Sequence, residues 1–163
     1  TGAITPQSAT AVGEEVGSPV ADRAGSALAA GASGKVYKMD LVTGTLAGVI
    51  ADLAAGAPLS APFFNYAAGE ALFGGTDGKV HAVKAADGAV TSTDALGAKA
   101  GMPLVANGKA IVAEANGMVG VPGGASQDLA GAIAGAIAAT GPTAADSIVV
   151  ATKDGSVAVL PMF

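Results

Sequence analysis

Cysteine and tryptophan are both absent from the 163-residue chain, and charged residues make up only 13% of it. Without cysteine, the chain can form no disulfide, thiolate nucleophile or thiolate metal site, and its redox compartment stays undecided. Lys and Arg number 8 and never cluster, while the net charge is −5. A nucleic-acid-binding protein needs a basic track that neutralises phosphates, so the sequence indicates no nucleic-acid partner. An anionic membrane surface is a poor partner for the same reason.

Long apolar runs are also missing. One of the two longest uncharged stretches, residues 129–145, is interrupted by three glycines and a proline. A membrane-spanning helix needs about 20 consecutive, mostly apolar residues, so we expect no membrane span. Hydrophobic residues nevertheless make up 51% of the chain, which excludes the highly charged, weakly hydrophobic composition of disordered proteins. We therefore expect a folded chain with a core of small side chains.

What the sequence does contain is an internal repeat. Four segments share the order Pro, apolar stretch, Gly-containing turn, second apolar stretch, and a Gly-x-Val that opens a third. The prolines are Pro19, Pro62, Pro103 and Pro142, which lie 43, 41 and 39 residues apart. The Gly-x-Val glycines are Gly34, Gly78, Gly117 and Gly155, which lie 44, 39 and 38 residues apart. Two markers with one period near 40 residues are typical of the four-stranded blades of β-propellers.

Turn residues within the repeat support this interpretation. The pairs at 77–78, 116–117 and 154–155 (Asp-Gly or Asn-Gly) predict two-residue hairpin turns, because both residues tolerate positive φ. Each proline is expected to precede a first strand, where its missing N–H costs little. Thr-Gly at 43–44 and Asp-Gly at 87–88 predict further turns, each followed by a fourth strand.

The two ends of the chain predict how the repeats close. Residues 1–5 align with residues 87–91, which lead into a fourth strand, whereas the chain ends at a third-strand position. We therefore expect one all-β domain of four propeller-like blades, in which the N-terminal strand completes the last blade. That strand completes it in the same chain (in cis), or in a second copy (in trans) to give an eight-blade dimer, and the sequence leaves both open. The expected repeats lie near 17–59, 60–100, 101–139 and 140–163, with 1–16 as the closing strand. Within them, the sequence leaves the segment 129–139 open as strand, helix or irregular.

Three segments carry a family resemblance: residues 33–46, 77–90 (Asp-Gly-Lys-Val-His-Ala-Val-Lys-Ala-Ala-Asp-Gly-Ala-Val) and 154–160. They resemble the pyrroloquinoline-quinone-like β-propeller repeat family, which includes quinoprotein dehydrogenases and the propeller lipoprotein of the outer-membrane assembly machine. The resemblance implies a propeller fold but no enzymatic activity. The docking tryptophan that normally ends the family repeat is replaced throughout, by Pro6, Gly48, Ser92 and Asp128. The calcium site and catalytic Asp of the quinone-dependent enzymes match no residue here. Residues 31–38 and 68–80 also look like phage capsid decoration proteins.

Candidate catalytic and metal-binding residues are few. His81 is the only histidine and has no partner near it in sequence, so we expect an outward-facing polar position on a strand. Glu14, Glu15 and Asp22 lack the spacing of a calcium loop and indicate a solvated acidic loop. The Gly-rich segment 74–80 fails the P-loop pattern. The sequence therefore predicts no catalytic residue, metal site or cofactor, and hence no enzyme.

Aromatic residues are concentrated in the second repeat, which holds Phe63, Phe64, Tyr66 and Phe73. They form either a contact patch for a protein partner or a sugar, or one well-filled layer of the core. Phe163, at the end of the chain, is likewise a docking residue or part of the core. These five residues are the predicted partner contacts.

The functional expectation follows from these features together. We expect a non-enzymatic structural or interaction module, which assembles with itself or binds a protein partner. We expect it to be exported, at a periplasmic, extracellular or particle surface. Two alternatives stay open, a phage capsid decoration protein and a carbohydrate-binding propeller lectin. A lectin would repeat one aromatic and polar set in every blade, whereas here the aromatic residues cluster in a single repeat.

Overall fold

A computed structural model describes residues 11–54, 61–97, 100–130, 133–141 and 143–163. These ranges form strands and turns, without a helix. The described part of the chain accordingly holds no helix long and apolar enough to cross a membrane. The strands form four separate antiparallel sheets, which we number as blades 1 to 4 in chain order.

Consecutive strands of the chain lie side by side within each blade. Blade 1 contains β1 (Val20–Ala21), β2 (Ser26–Ala30), β3 (Lys35–Asp40) and β4 (Leu46–Asp52). Blade 2 contains β5 (Phe63–Asn65), β6 (Glu70–Gly74), β7 (Lys79–Lys84) and β8 (Val90–Asp94). Blade 3 contains β9 (Ala100–Ala106), β10 (Lys109–Glu114), β11 (Met118–Gly120) and β12 (Ser126–Asp128). Blade 4 contains β13 (Ile133–Ala139), β14 (Ser147–Thr152) and β15 (Val157–Pro161).

The predicted four-blade, all-β architecture is therefore confirmed, including the fourth strands β4 and β8. Residues 1–10 of the predicted closing strand, 1–16, lie outside the described residues. Among the described strands, blade 4 has three and pairs with no strand from the start of the chain, so the described sheets are not closed by strand pairing. The described residues 11–17 lie instead along the β2–β3 hairpin, where Val16 forms a β-bridge with Gly31.

One hairpin design recurs between the second and third strands of every blade. In blade 2 the Gly78 N–H donates to the Gly75 carbonyl at 3.3 Å, and Gly78 has a φ of +76°. The predicted two-residue hairpin is wrong here, because the turn spans Gly75 to Lys79 and Asp77 is not left-handed. Its carboxylate instead accepts the N–H of Lys79 at 3.2 Å, and this hydrogen bond holds the turn. A left-handed glycine ending a longer turn produces the same reversal with a single residue of positive φ.

Blade 4 begins before residue 140, where the sequence predicted its start. The segment 133–139, left open by the sequence, is strand β13 and pairs with β14. Pro103 likewise does not precede β9 but lies within it, opposite Val112. It is tolerated there because β9 is the edge strand of its sheet. The Ala-rich β13 has weak strand propensity of its own, so its pairing partner determines its conformation.

The core lies between the blades rather than within them. Buried side chains form three clusters in the described residues, between blades 1 and 2, blades 2 and 3, and blades 3 and 4. The first strands pack against one another in order, β1 on β5, β5 on β9 and β9 on β13. The outer strands β8 and β12 are exposed along their whole length. Each inner blade therefore buries both of its faces, one against the previous blade and one against the next.

Candidate functional site

The five predicted contact residues lie in different environments. Phe64 and Phe73 are buried in the cluster between blades 1 and 2. Phe63 and Phe163 are partly buried against the cluster between blades 3 and 4. Tyr66 has 49% of its surface exposed. Because the other four pack in or against the core, Tyr66 is the residue around which a contact surface is built.

Three groups hold the Tyr66 ring at the junction of blades 1 and 2. The ring centroids of Tyr66 and Phe64 lie 4.9 Å apart at an interplanar angle of 48°. The Tyr66 hydroxyl donates to the carbonyl of Ala21 on β1 at 3.3 Å. On the other side, the guanidinium carbon of Arg23 lies 4.1 Å from the ring centroid, the geometry of a cation–π contact. The ring is thus fixed in one orientation while half of it stays accessible.

Arg23 sits at the tip of the β1–β2 turn, which a carboxylate shapes. One oxygen of Asp22 accepts the N–H groups of Ala24 at 2.9 Å and Ser26 at 2.7 Å. Gly25 completes the turn with a φ of +91°. An Asp followed by a left-handed Gly is a local turn signal, which the sequence carries at 22–25. That signal was available to sequence reasoning, but nothing in it indicates that Arg23 stacks on an aromatic ring of the next repeat.

A groove of about 610 Å³ opens beside this ring, between the turns of blades 1 and 2. Lys38 crosses the blade junction beneath it, since its ammonium donates to the carbonyl of Ala85 at 2.7 Å. The lining combines aromatic, cationic and small residues with one carboxylate: Asp22, Arg23, Ala24, Ser26, Lys38, Phe64, Tyr66, Gly69, Ala85 and Ala86. An exposed tyrosine with a stacked arginine is a composition that is enriched in binding hot spots.

His81 does not face outward as predicted, because only 2% of its surface is exposed. Its Nδ1 lies 2.8 Å from the hydroxyl oxygen of Ser92, and its Nε2 lies 3.2 Å from a carboxylate oxygen of Asp77. Gly75 makes room for the ring, since a Cβ there would lie 2.7 Å from Nε2. Sequence reasoning missed both partners, although Asp77 is four residues away and Ser92 stands directly opposite on β8. The imidazole ties the exposed strand β8 and the β6–β7 turn to the core of blade 2.

The acidic residues near the N-terminus hold backbone and side-chain donors. Glu14 accepts the Tyr37 hydroxyl at 2.5 Å and the Ser33 N–H at 2.6 Å. The hydrogen bond from Tyr37 is the largest cause that lowers the pKa of Glu14, followed by the bonds from Ser33. The same bond raises the pKa of Tyr37. Within the described ranges, no three His, Asp or Glu side chains are placed together as metal ligands would be.

Comparison with known proteins identifies the fold. No family model matches the sequence, and no curated protein matches it. Among solved structures, BamB from Moraxella catarrhalis is similar with a TM-score of 0.66 and 20% identity, over 90% of this chain and 43% of BamB. BBS1N, solved in complex with ARL6DN, is similar with a TM-score of 0.65 and 19% identity, over 85% of this chain and 43% of BBS1N. The chain has a β-propeller fold.

A third similar structure matches the length of the chain as well. The computationally designed Ika4 protein aligns with a TM-score of 0.70 and 16% identity, over 96% of both chains. The chain thus spans under half the length of BamB and of BBS1N, but nearly the full length of Ika4. At these identities the likeness concerns the arrangement of the blades.

Proposed function

We propose that this propeller is a non-enzymatic interaction module that binds a segment of a protein partner in the groove between blades 1 and 2. The observation that carries the proposal is the half-exposed Tyr66 ring, held by Phe64 and stacked under Arg23. Tyrosine and arginine dominate the affinity of protein interfaces, because each brings a large contact area and directed polar groups.

The geometry favours an extended segment as the occupant. The groove lies between turns rather than on a flat sheet, and its floor is made of small residues such as Gly69 and Ala85. An apolar side chain of the partner would lie on the free part of the Tyr66 ring. A carboxylate beside it would meet the guanidinium of Arg23. The fold supports this proposal at a coarser level, since the similar BBS1N was solved with a protein partner.

The proposed location is a periplasmic, extracellular or particle surface. Low charge and small side chains, together with the proposed absence of catalysis, suit a structural or binding role there. Fractionation of the source cells tests this part separately. Recovery of the protein in the soluble cytoplasm would contradict an exported module without bearing on the groove.

The test of the groove compares variants of the purified chain. Proteins captured by the wild-type chain are identified, produced in pure form, and titrated against wild type, Tyr66→Ser, Arg23→Ala and Val42→Ser. Val42 is the control, because it is 80% exposed on the β3–β4 turn and does not line the groove. Loss of a hot-spot tyrosine weakens binding by about 30-fold, corresponding to about 2 kcal/mol. Circular dichroism confirms that each variant is folded.

Two outcomes would contradict the proposal. The first is a partner that binds Tyr66→Ser and Val42→Ser equally well, which places the contact elsewhere. The second is Tyr66-dependent binding of a glycan on an array without any protein partner, since a sugar ring also stacks on an exposed tyrosine.

A further inference from the structure

The repeat assigns an equivalent residue to every blade on the face that points to the next blade. We call this the forward face, and its marker is the valine of Gly-x-Val. In blades 1 to 3 these valines are Val36, Val80 and Val119, with exposures of 0%, 5% and 0%. Each lies in the cluster between its own blade and the following one. In blade 4 the equivalent residue, Val157, is 66% exposed.

The rest of the forward face of blade 4 is apolar and uncovered as well. Val159 lies two residues further along β15, on the same face, and is 65% exposed. It pairs across the sheet with Val149, the counterpart of the buried Leu28 and Leu72 in blades 1 and 2. The opposite face of blade 4 is fully packed, with Ile148 and Val150 both at 0%. Blade 4 therefore carries the same two apolar faces as the inner blades but buries only one.

Blade 1 has a partly open apolar face at the other end of the described blades. Its backward face, which points away from blade 2, carries Ala29, Tyr37 and Met39. The equivalent residues of blade 2, Phe73, His81 and Val83, are all buried, and Phe73 and Val83 lie in the cluster with blade 1. In blade 1 Tyr37 is 9% exposed and Ala29 and Met39 are half-buried, and these positions line an apolar groove of about 290 Å³ together with Val12, Val16 and Gly17 of the preceding segment.

The equivalent positions also predict which residues meet. The valine of Gly-x-Val shares a cluster with Phe73 at the first junction, with Val112 at the second, and with Val150 at the third. The fourth member of that series is Ala29 of blade 1. Since alanine is smaller than the phenylalanine and valines at the other junctions, the groove beside it leaves room for a valine side chain.

We infer that the forward face of blade 4 packs on the backward face of blade 1 in a second copy of this chain. Blade 4 of the second copy packs on blade 1 of the first in the same way, so that two chains complete one ring. In this molecule every covered forward face is covered by the backward face of another blade. Blade 1 of the same chain does not cover Val157. The reciprocal arrangement has twofold symmetry and leaves no end face exposed.

The similarity to parts of larger propellers favours a second copy over closure within one chain. This chain aligns along 90% of its own length with only 43% of BamB, and along 85% of its length with 43% of BBS1N. Blades arranged as in less than half of a larger propeller leave space for about as many blades again. A second copy supplies that number with the correct end faces. The inference does not depend on the groove around Tyr66, which lies at the junction of blades 1 and 2.

Light scattering coupled to size exclusion tests the inference on the purified chain. The expected mass is about twice the 15.2 kDa of one chain. Val157→Lys and Val159→Lys each place a charge on the forward face, and we expect either to weaken dimerisation at least tenfold. Both side chains are exposed in the single chain, so the variants are expected to fold. Val42→Lys is the control, since it adds the same charge to a turn outside both end faces.

Crosslinking then separates the two modes of closure. The chain has no cysteine, so an Ala29→Cys, Val157→Cys double variant carries only the introduced thiols. With a short bismaleimide, a ring of two chains gives a covalent species of twice the chain mass. A crosslinked product of single-chain mass would show closure in cis and overturn the inference. A monomer at all concentrations, or a dimer that survives both lysine variants, would overturn it as well.

Discussion

Blades 2 and 4 are built from the same repeat but differ in how much of it they bury. In blade 2 the adjacent residues Leu72 and Phe73 point to opposite faces, and both are buried. In blade 4 the equivalent pair is Val149 and Val150, of which Val150 alone is fully buried. The repeat thus encodes two apolar faces in every blade, and the neighbouring blade determines whether a face is covered.

This difference has a general physical reason. The hydrophobic contribution of a side chain follows the area removed from water, not its identity. A repeat protein buries area only at the interfaces between neighbours, so a terminal repeat with an inner sequence exposes one face. On the described part of strands β14 and β15, that face carries Val149, Ala151, Val157 and Val159 and no polar capping residue. The composition of blade 4 is that of an inner blade.

The largest expected effect is in the core of blade 2. Phe73→Ala should lower the free energy of unfolding by about 3–5 kcal/mol, because it empties a fully packed site. Val159→Ala in blade 4 should change it by less than about 0.5 kcal/mol in the monomer, because the side chain is already solvated. Urea titration of both variants, followed by circular dichroism, measures the contrast. Equal losses would show that blade 4 is as well covered as blade 2.

A more direct comparison of blades 2 and 4 substitutes the same position of the repeat, the valine of Gly-x-Val, in both blades. Val80→Ala should cost about 2 kcal/mol, the value for burying a valine side chain. Val157→Ala should cost almost nothing in dilute solution, and its cost should rise with protein concentration if a second copy covers it. Thermal unfolding at several concentrations tests this. A cost for Val157→Ala that is large and independent of concentration would break the comparison.

The hydrogen bonds of His81 give a smaller effect, confined to blade 2. Ser92→Ala leaves the buried Nδ1 atom without its partner and should cost about 1–2 kcal/mol. Thr91→Ala, also exposed on β8, is the control and should cost less than about 0.5 kcal/mol. Hydrogen exchange of the β8 amides should accelerate in the first variant alone. Identical protection in both variants would show that the imidazole does not hold this strand.

The smallest expected effect is the loss of stability at low pH that comes from two carboxylates in the turns of blade 4. Hydrogen bonds from Thr143 lower the pKa of Asp146, and those from Thr152 and then Ser156 lower the pKa of Asp154. Because both folded-state pKa values lie below the unfolded ones, these carboxylates stabilise the fold above about pH 4. That stabilisation is lost as the pH falls through the folded values. The melting temperature should therefore decline below that pH, and less steeply in Asp154→Asn; an equal decline in wild type and variant would contradict this role.

The sequence was informative where the signal is local. The period of the Gly-x-Val glycines located all four β2–β3-type hairpins, since each needs a left-handed residue at its end. The Thr-Gly and Asp-Gly pairs located β4 and β8. Sequence reasoning did not locate the start of blade 4, because the Ala-rich β13 has no strong propensity and is specified by its pairing with β14.

In the candidate site, too, local sequence signals predicted some features and the tertiary structure decided the others. Clustering of aromatic residues in one repeat was visible in the sequence, but Phe64, Phe73 and Tyr66 look alike there. Strand register places Phe64 and Phe73 against blade 1, while Tyr66 falls in the turn that follows β5. The contribution of Arg23 could not be predicted, because its ring partner lies 43 residues further along the chain, at the adjacent turn of the next blade.

By itself, the sequence determined that this chain folds as four copies of one sheet with small, apolar faces, because turn residues and spacing act over a few neighbours. The tertiary structure decided which of those faces are buried, which aromatic ring is left accessible, and how His81 finds Ser92 and Asp77. These outcomes depend on groups brought together from different strands and blades, and no local pattern encodes the distance between them.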